Sequence, residues 1–164
     1  MKRTIRTLGL AAAFAVVAGL GLIALVRLAP SDPADWHVDL AAAGFDPGIG
    51  QVFCITPGSR YDPGEPMKVV LARLDAVALA TPRTERLAGS VGDGRITWIT
   101  RSALIGYPDY TTAQVMPGNG LCVFARQRFG RGDWGVNAAR VGGWMQQVLG
   151  LTESPQMTGI IAQP

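Results

Sequence analysis

The run from Thr7 to Val26 constrains this chain most, because it contains 20 residues and no charged side chain. Twenty apolar or small residues in a helix are long enough to cross the hydrocarbon core of a bilayer. A chain of 164 residues has too little other structure to cover such a helix on all sides. The run therefore predicts a membrane contact through residues 7–28 and makes residues 1–28 an N-terminal transmembrane anchor.

The charges around this run predict its orientation. Lys2, Arg3 and Arg6 precede it, and basic flanks of this kind stay in the cytoplasm. We therefore expect a single-pass protein of the bacterial inner membrane, with the rest of the chain in the periplasm. A cleaved signal peptide is the competing interpretation, but its apolar region is usually shorter and ends at a small-x-small site. Arg27 and Pro30 follow the run here without a clean Ala-x-Ala site, which favours an uncleaved anchor.

The charge distribution argues against a nucleic-acid partner. The formal net charge is +3, with fifteen Lys and Arg against twelve Asp and Glu. Four of the basic residues lie in the anchor, which leaves eleven against twelve, or −1, from Pro30 onward. A domain close to neutrality lacks the basic surface that nucleic-acid binding requires. Residues 95–164 contain six Arg and three acidic residues, a local excess that suits a small anionic ligand or simply a solvated face.

The remaining sequence divides into a linker, one domain and a tail. Residues 29–50 contain three prolines and no sustained periodicity, which is typical of a linker. Residues 51–150 are enough for one compact domain with a modest core. Residues 151–164 read as a C-terminal tail that we expect to fray, although its apolar pair Ile160–Ile161 could dock.

Turn signals and periodicity predict an α+β domain. Gly92-Asp93-Gly94 and Pro117-Gly118-Asn119-Gly120 are strong hairpin signals. Apolar residues at helical spacing predict one helix from Glu65 to about Ala80 and another from about Asp133 to Leu149. The predicted strands are 51–55, 84–91, 95–102, 110–116 and 121–128. The order strand, helix, four strands, helix predicts a two-layer sandwich. In it, both helices lie on one face of a mostly antiparallel sheet, and the other face is free for solvent, a ligand or a partner.

The stretch from Ala125 to Trp144 holds most of the polar residues that should lie in the interior. Asp133 is a good N-cap for the last helix, and helical spacing then places Trp134 and Asn137 on its buried side with Arg140 at the edge. A buried Asn and a half-buried Arg need hydrogen-bond partners. We favour a structural role, in which these residues tie the helix to the preceding strand through its arginines or its carbonyl groups. A site for a polar or anionic ligand is the alternative.

Three arginines fall in predicted central strands, where charge is unusual. Arg126 and Arg128 are two residues apart and therefore share one face of their strand. Since Asp109 and Asp133 are available as partners, an internal salt-bridge network is the default interpretation. An arginine cradle for phosphate or carboxylate is the alternative, because the planar guanidinium group matches such anions. The candidate ligand-binding residues are therefore Arg101, Asp109, Arg126, Arg128, Asp133, Asn137 and Arg140.

The usual catalytic signatures are absent from the sequence. There is no Gly-x-Ser-x-Gly elbow, Walker loop, dinucleotide fingerprint or His-Glu-x-x-His pair. The single histidine, His37, is expected to be exposed in the linker, and no zinc ligand set or cofactor is predicted. Cys54 and Cys122 lie in predicted strands, where a cross-strand disulfide and two separate buried thiols are about equally plausible. A ligand-binding or interaction module is favoured over a hydrolase-like enzyme acting on an anionic substrate, or a structural support for a membrane complex.

Two stretches resemble the family called domain of unknown function 1499. They are residues 101–110, RSALIGYPDY, and residues 125–141, ARQRFGRGDWGVNAARV. The second matches the family pattern at Arg126, Arg128, Gly130, Asp133, Gly135, Asn137, Arg140 and Val141, and departs from it at Trp134 and Ala138. The resemblance covers about residues 51–149. It implies a bacterial or plastid protein behind a membrane or export segment, and it supplies no catalytic residue.

Overall fold

A computed structural model describes residues 2–130 and 132–157, with side chains from residue 7 onward; the apolar pair Ile160–Ile161 lies outside the described residues. The elements in chain order are α1 (Lys2–Leu28), α2 (Pro33–Trp36), β1 (Gln51–Ile55), α3 (Met67–Ala80), β2 (Thr84–Ser90), β3 (Arg95–Arg101), β4 (Pro108–Met116), β5 (Gly120–Gln127) and α4 (Val136–Leu149). The five strands form one antiparallel sheet in the order β1-β5-β4-β3-β2. The predicted α+β class and strand–helix order are thus confirmed.

Helix α1 is long and apolar enough to cross a membrane. Its span Thr7–Leu28 has 22 residues and a mean hydropathy of 2.5, and only 6% of its apolar window is buried inside the protein. Leu10 and Phe14 along it are exposed. Because so little of this helix is covered by protein, it is not a core helix of the domain.

Helices α3 and α4 pack side by side on one face of the sheet, as the apolar periodicity predicts. Trp98 of β3 meets Trp144 of α4 edge to face, with ring centroids 5.9 Å apart. The alternate residues of the strands point into this core, because successive side chains of a strand face opposite sides. The largest fully buried side chains here include Ile55, Met67, Leu71, Leu74, Ile96, Trp98, Leu121 and Met145.

Residues 29–50, expected to be a linker, lie across the second face of the sheet. Asp32 caps the short helix α2 by accepting a hydrogen bond from the main-chain N–H of Ala34 at 2.9 Å. Leu40 is fully buried in a small core with residues of β1 and β5, and Phe45 packs edge to face on Phe124 at 5.1 Å. The sheet is therefore covered on both faces, by two helices on one side and by this segment, the covering segment, on the other.

His37 belongs to the covering segment and is half-buried, so the expectation of an exposed linker histidine was wrong. Its Nδ1 lies 2.8 Å from Thr97 Oγ1, and Arg95 Nε donates to its Nε2 at 3.1 Å. The histidine reaches these groups because the covering segment folds back onto β3. Burial lowers the pKa of His37, and the charge of Arg95 adds to the decrease.

Cys54 and Cys122 form a disulfide. The two residues are direct partners in the register of β1 and β5, with Cα atoms 4.1 Å apart. The sheet register therefore decides between the two alternatives that the sequence left open. The bond joins the edge strand β1 to its neighbour across a sequence separation of 68 residues.

The start of the last helix differs from the prediction. Trp134 was expected on the buried side of that helix, but it is fully exposed. The reason is local: Trp134 and Gly135 both have positive φ angles, 55° and 79°, so α4 begins only at Val136. Asp133 nevertheless serves the helix, because its carboxylate accepts hydrogen bonds from the N–H groups of Gly135 at 3.0 Å and Asn137 at 2.7 Å.

Candidate functional site

The residues that the sequence singled out lie in three separate places. Asp109, Asp133, Asn137 and Arg140 meet between the sheet and the start of α4. Arg126 and Arg128 point to the opposite face, towards the covering segment. Arg101 lies at the end of β3 and lines a cleft. The structure therefore does not bring the seven candidates into a single pocket, and each place has its own chemistry.

The four residues at the start of α4, the α4 polar cluster, form a continuous chain of hydrogen bonds. Arg140 donates to Asn137 Oδ1 at 2.7 Å and to Asp109 Oδ2 at 2.8 Å. Asn137 itself is fully buried, and its main-chain N–H is the donor to Asp133. The helix is thus tied to the sheet, but through Asp109 of β4. The arginines of β5, which the sequence suggested for this role, lie on the other face.

The net charge of the α4 polar cluster does not favour an anionic ligand. It contains two carboxylates and one guanidinium group, and the Asp109–Arg140 pair is largely buried. Burial raises the pKa of Asp109, the bond from Arg140 opposes the increase, and the charge of Asp133 adds to it. An anionic ligand would lose its hydration beside these two carboxylates, which is unfavourable.

Three buried atoms around this cluster have no hydrogen-bond partner among the residues that the structure describes. They are Thr111 Oγ1, Gln127 Nε2 and Asn137 Nδ2. Gln127 is the register partner of Asp109, and Thr111 follows two residues later on the same face. Buried polar groups of this kind are normally satisfied by ordered water. The cluster therefore suits a hydrated structural junction.

Arg126 and Arg128 hold the beginning of the covering segment. Arg126 donates to the carbonyl of Asp35 at 2.9 Å and Arg128 to that of Pro30 at 2.6 Å. The Arg126 guanidinium also lies 4.5 Å from the centroid of the Trp36 ring, an arrangement that stabilises a partly desolvated cation. Burial lowers the pKa of Arg126. These two side chains are thus occupied by the chain itself.

Arg101 lines a cleft at the end of the domain next to α1, which we call the juxtamembrane cleft. Its volume is about 440 Å³. The lining residues are Arg27, Arg83, Thr84, Glu85, Arg101, Ser102, Ala103 and Gly106. Three guanidinium groups against one carboxylate give this cleft a positive net charge, and it joins the last turn of α1, the turn before β2 and the loop after β3.

Main-chain carbonyl groups position two of the three arginines. Arg27 donates through Nε to Ile105 at 3.2 Å and through Nη2 to Leu104 at 3.0 Å. Arg83 donates through Nε to the carbonyl of Arg101 at 3.1 Å, and its φ of 61° is uncommon for a residue with a long side chain. Arg101 Nη1 is buried and has no partner among the described residues.

The sequence interpretation missed Arg27 and Arg83 as site residues. Arg27 was assigned to the anchor, and Arg83 follows a proline in a short turn. The available signal was weak: a basic residue directly after an apolar span often lies at the interface. No local pattern indicates that residues 27, 83 and 101 converge.

The end of the domain that carries the juxtamembrane cleft also exposes apolar side chains. Strands β3 and β5 end here and β4 begins here. Leu104 in the loop after β3 is 86% exposed, and Trp134 before α4 is fully exposed. Leu28 at the end of α1 is exposed as well. This end therefore combines the last turn of α1, a basic cleft and apolar loop tips.

Within residues 2–130 and 132–157, no group of His, Cys, Asp and Glu could hold a metal ion. No protein-family model matches the chain, and a search of curated proteins gives no significant match. The resemblance to domain of unknown function 1499 therefore stays a prediction.

Proposed function

We propose that this chain is a single-pass membrane protein whose α+β domain is held directly on the membrane surface and acts there as a binding module. The observation that carries the proposal is the contact between the end of α1 and the domain. Val26 is 2% exposed, and Arg27 is bonded to two carbonyls of the loop after β3. A domain on a flexible tether would lack such contacts and would move away from the bilayer.

The covering segment supports the same arrangement. Ser31 Oγ lies 2.7 Å from Tyr110 Oη, and Trp36 stacks on the Tyr110 ring with centroids 3.8 Å apart. The chain is thus in contact with the sheet within a few residues of the end of α1. A short, bonded connection of this kind fixes the orientation of the domain relative to the spanning helix.

The disulfide and the basic N-terminus support an extracytoplasmic domain. Disulfides persist in oxidising compartments and are rare in the cytosol, and Cys54 and Cys122 are joined. Lys2, Arg3 and Arg6 favour a cytoplasmic N-terminus. We therefore propose that the chain is a bacterial inner-membrane envelope protein with a periplasmic domain.

The exposed apolar residues next to α1 favour contact with lipid. Trp is enriched at membrane interfaces because its ring is apolar and its N–H is polar. Trp134 and Leu104 would be poorly placed in water but well placed among headgroups and upper acyl chains. The bound species would be a small anionic ligand or an envelope protein partner.

An enzyme acting on an anionic substrate has less support. Asp133 accepts main-chain hydrogen bonds at the start of α4, and Asp109 is paired with Arg140. A general base has to be within reach of its substrate, whereas both carboxylates are engaged in the α4 polar cluster. We therefore do not propose a second function.

Trp134 fluorescence tests the position of the domain. The full chain is placed in nanodiscs that contain bromine-labelled phospholipids, and the signal of Trp134 is the difference between the wild type and Trp134→Phe. We expect this signal to be quenched by the lipid bromines and to be protected from acrylamide in the water, because Trp134 faces the bilayer.

A control reporter at the other end of the domain completes the test. Arg60 is exposed in the loop after β1, at the end of the domain away from α1. The double variant Arg60→Trp/Trp134→Phe places a fluorophore there. That reporter should respond to acrylamide and not to the bromines. If Trp134 behaves like the reporter at residue 60, the domain is not seated on the membrane and the proposal is wrong.

A further inference from the structure

We propose that the juxtamembrane cleft binds the phosphate group of an anionic phospholipid headgroup. This inference rests on the proposed position of the domain at the membrane surface, and it names the ligand that the binding module takes there. The arginines that carry it are Arg27, Arg83 and Arg101, only the last of which was a candidate from sequence.

Charge and donor chemistry select an anion with several oxygen atoms. Guanidinium groups bind phosphate through paired N–H donors, and such charge-assisted bonds are among the strongest in proteins. Among the described residues, Glu85 is the one acidic residue lining the cleft, so the three arginines leave a net positive charge. The hydroxyl-bearing residues Ser102 and Thr84 also line the cleft. A phosphate group has acceptors for these donors and a charge of the matching sign.

The arginines are held in place before a ligand arrives. Arg27 and Arg83 are fixed through carbonyl groups of the domain, which leaves other N–H groups of their forks for a ligand. Arg101 Nη1 is a buried donor without a partner among the described residues. Arg101 also lines the cleft, so its positive charge acts on an anion bound there, although Nη1 itself is not exposed to the cleft. Side chains that are already positioned lose less conformational entropy on binding.

Size and position favour a lipid as the source of the phosphate. The cleft volume of about 440 Å³ lies within the range of small-molecule sites, roughly 300–1,000 Å³, and a bare phosphate would fill only part of it. Arg27 belongs to the last turn of the spanning helix α1. A cleft that includes this residue opens at the depth of the headgroup phosphates of the surrounding lipid.

The test uses the full chain in a neutral detergent and measures binding by the shift of the thermal unfolding midpoint. The probes are short-chain phosphatidylglycerol, glycerol 3-phosphate and inorganic phosphate. We expect saturable binding of the phosphatidylglycerol and much weaker binding of the two soluble phosphates. Equal affinity for glycerol 3-phosphate would show a soluble phosphate ligand and would overturn the lipid source.

Variants locate the bound phosphate. Arg83→Gln and Arg101→Gln should each weaken phosphatidylglycerol binding by about tenfold or more, as expected for the loss of one charged hydrogen-bond partner. Glu85→Gln removes the opposing carboxylate and should strengthen binding. Arg60→Gln makes the same charge change at the far end of the domain and should have no effect. If Arg83→Gln binds phosphatidylglycerol as tightly as Arg60→Gln does, the cleft is not the site.

Two further readouts keep the result interpretable. Arg83 is exposed, so Arg83→Gln decides the question even if Arg101→Gln fails to fold, which circular dichroism would reveal. The Trp134 quenching measurement on Arg83→Gln separates the two proposals. Loss of lipid binding with unchanged quenching supports the cleft as the site on a domain that is still seated. Unchanged lipid binding together with unchanged quenching overturns this inference alone.

Discussion

Three arginines of the domain differ in role because their side chains have different neighbouring groups. Arg140 is paired with Asp109 in a largely buried contact, and Arg126 lies over the Trp36 ring. Arg101 has a buried donor without a partner among the described residues. The first two are therefore structural: a carboxylate neutralises Arg140, and the Asp35 carbonyl and the Trp36 ring hold Arg126. The third lines the juxtamembrane cleft, where its charge acts on an anion.

The buried Asp109–Arg140 pair leads to a prediction about stability. Asp109→Ala would leave the Arg140 guanidinium without its partner in a site that excludes most water. Removing one partner of a buried ion pair costs about 3 kcal/mol. We expect the free energy of unfolding to fall by about this amount. Denaturant titration of the full chain in detergent, followed by tryptophan fluorescence, measures it.

An exposed ion pair provides the control for this prediction. Glu65→Gln removes a pair with Arg73 whose side chains are both more exposed, and exposed pairs contribute at most about 1 kcal/mol. A loss at Asp109→Ala no larger than the loss at Glu65→Gln would show that the α4 polar cluster is not a structural lock.

His37 predicts a pH dependence of stability. Burial lowers its pKa in the folded state below the unfolded value of 6.5, Arg95 adds to the decrease, and Asp93 and Asp39 oppose it. The unfolded chain therefore binds the proton more readily, so stability is fully present above pH 6.5 and falls as the pH drops towards the folded pKa. Unfolding titrations between pH 7.5 and about 5 should show this decrease.

The His37→Gln variant identifies the residue responsible for that decrease. Its amide can still bond to Thr97 but does not titrate. The part of the pH dependence that comes from His37 should disappear in this variant. A curve that keeps the same slope as the wild type would assign the titration to the carboxylates instead.

At the scale of the elements, the edge strand β1 depends on connections outside its own hydrogen bonds. It has only five residues and one strand neighbour, so only one of its two edges is paired within the sheet. The covering segment leads directly into β1 through Gly50. The Phe124 ring packs so closely against Gly50 that an added Cβ would lie 2.1 Å from the ring. The disulfide then joins β1 to β5. Both features hold the edge of the sheet closed.

Removing the disulfide should lower stability markedly. The bond closes a loop between residues separated by 68 positions, and the chain-entropy relation gives about 4 kcal/mol for a loop of this length. The double change of Cys54→Ser and Cys122→Ser should therefore shift the denaturant midpoint downward. A reducing agent should destabilise the wild type to a similar extent and leave the double variant unchanged. Free thiols in the native wild type would contradict the prediction.

At the scale of the whole molecule, α1 and the α+β domain are joined by direct contacts. The last turn of α1 meets the loop after β3, the covering segment binds the second face, and α3 and α4 cover the first. The exposed residues Leu104 and Trp134 lie at the same end as α1. In the proposed membrane position, this arrangement presents one defined side of the domain to the bilayer.

Gly106 tests the contact between anchor and domain. Its φ is 85°, and a Cβ at this position would come within 2.9 Å of Arg27 Cγ. Gly106→Ala should therefore displace Arg27. We expect weaker quenching of Trp134 by lipid bromines and weaker binding of phosphatidylglycerol. Gly118→Ala is the matched control, because Gly118 has a similar φ of 78° and nothing within 4 Å of an added Cβ. Equal quenching in both variants would show that the contact does not orient the domain.

Much of the architecture follows from local patterns in the sequence. The charge-free run predicts α1, the glycine-containing turns predict the two hairpins, and apolar spacing predicts α3 and α4. These signals are local because helix and strand periodicity depends on residues a few positions apart. The errors at Trp134 and His37 arise because local periodicity carries no information about turn geometry or distant contacts. At Trp134, a turn with positive φ delays the start of α4 to Val136; at His37, a contact with a distant strand buries the side chain.

The sequence alone thus determined the apolar span, the α+β class and the order of the elements, because each is a property of neighbouring residues. The tertiary structure alone decided the destinations of the side chains: the disulfide, the opposite faces of Arg126 and Arg140, and the cleft formed by residues 27, 83 and 101. These contacts depend on sheet register and on the packing of segments far apart in the chain. No local pattern specifies them, since the free energy that selects them is gained only when the whole fold is assembled.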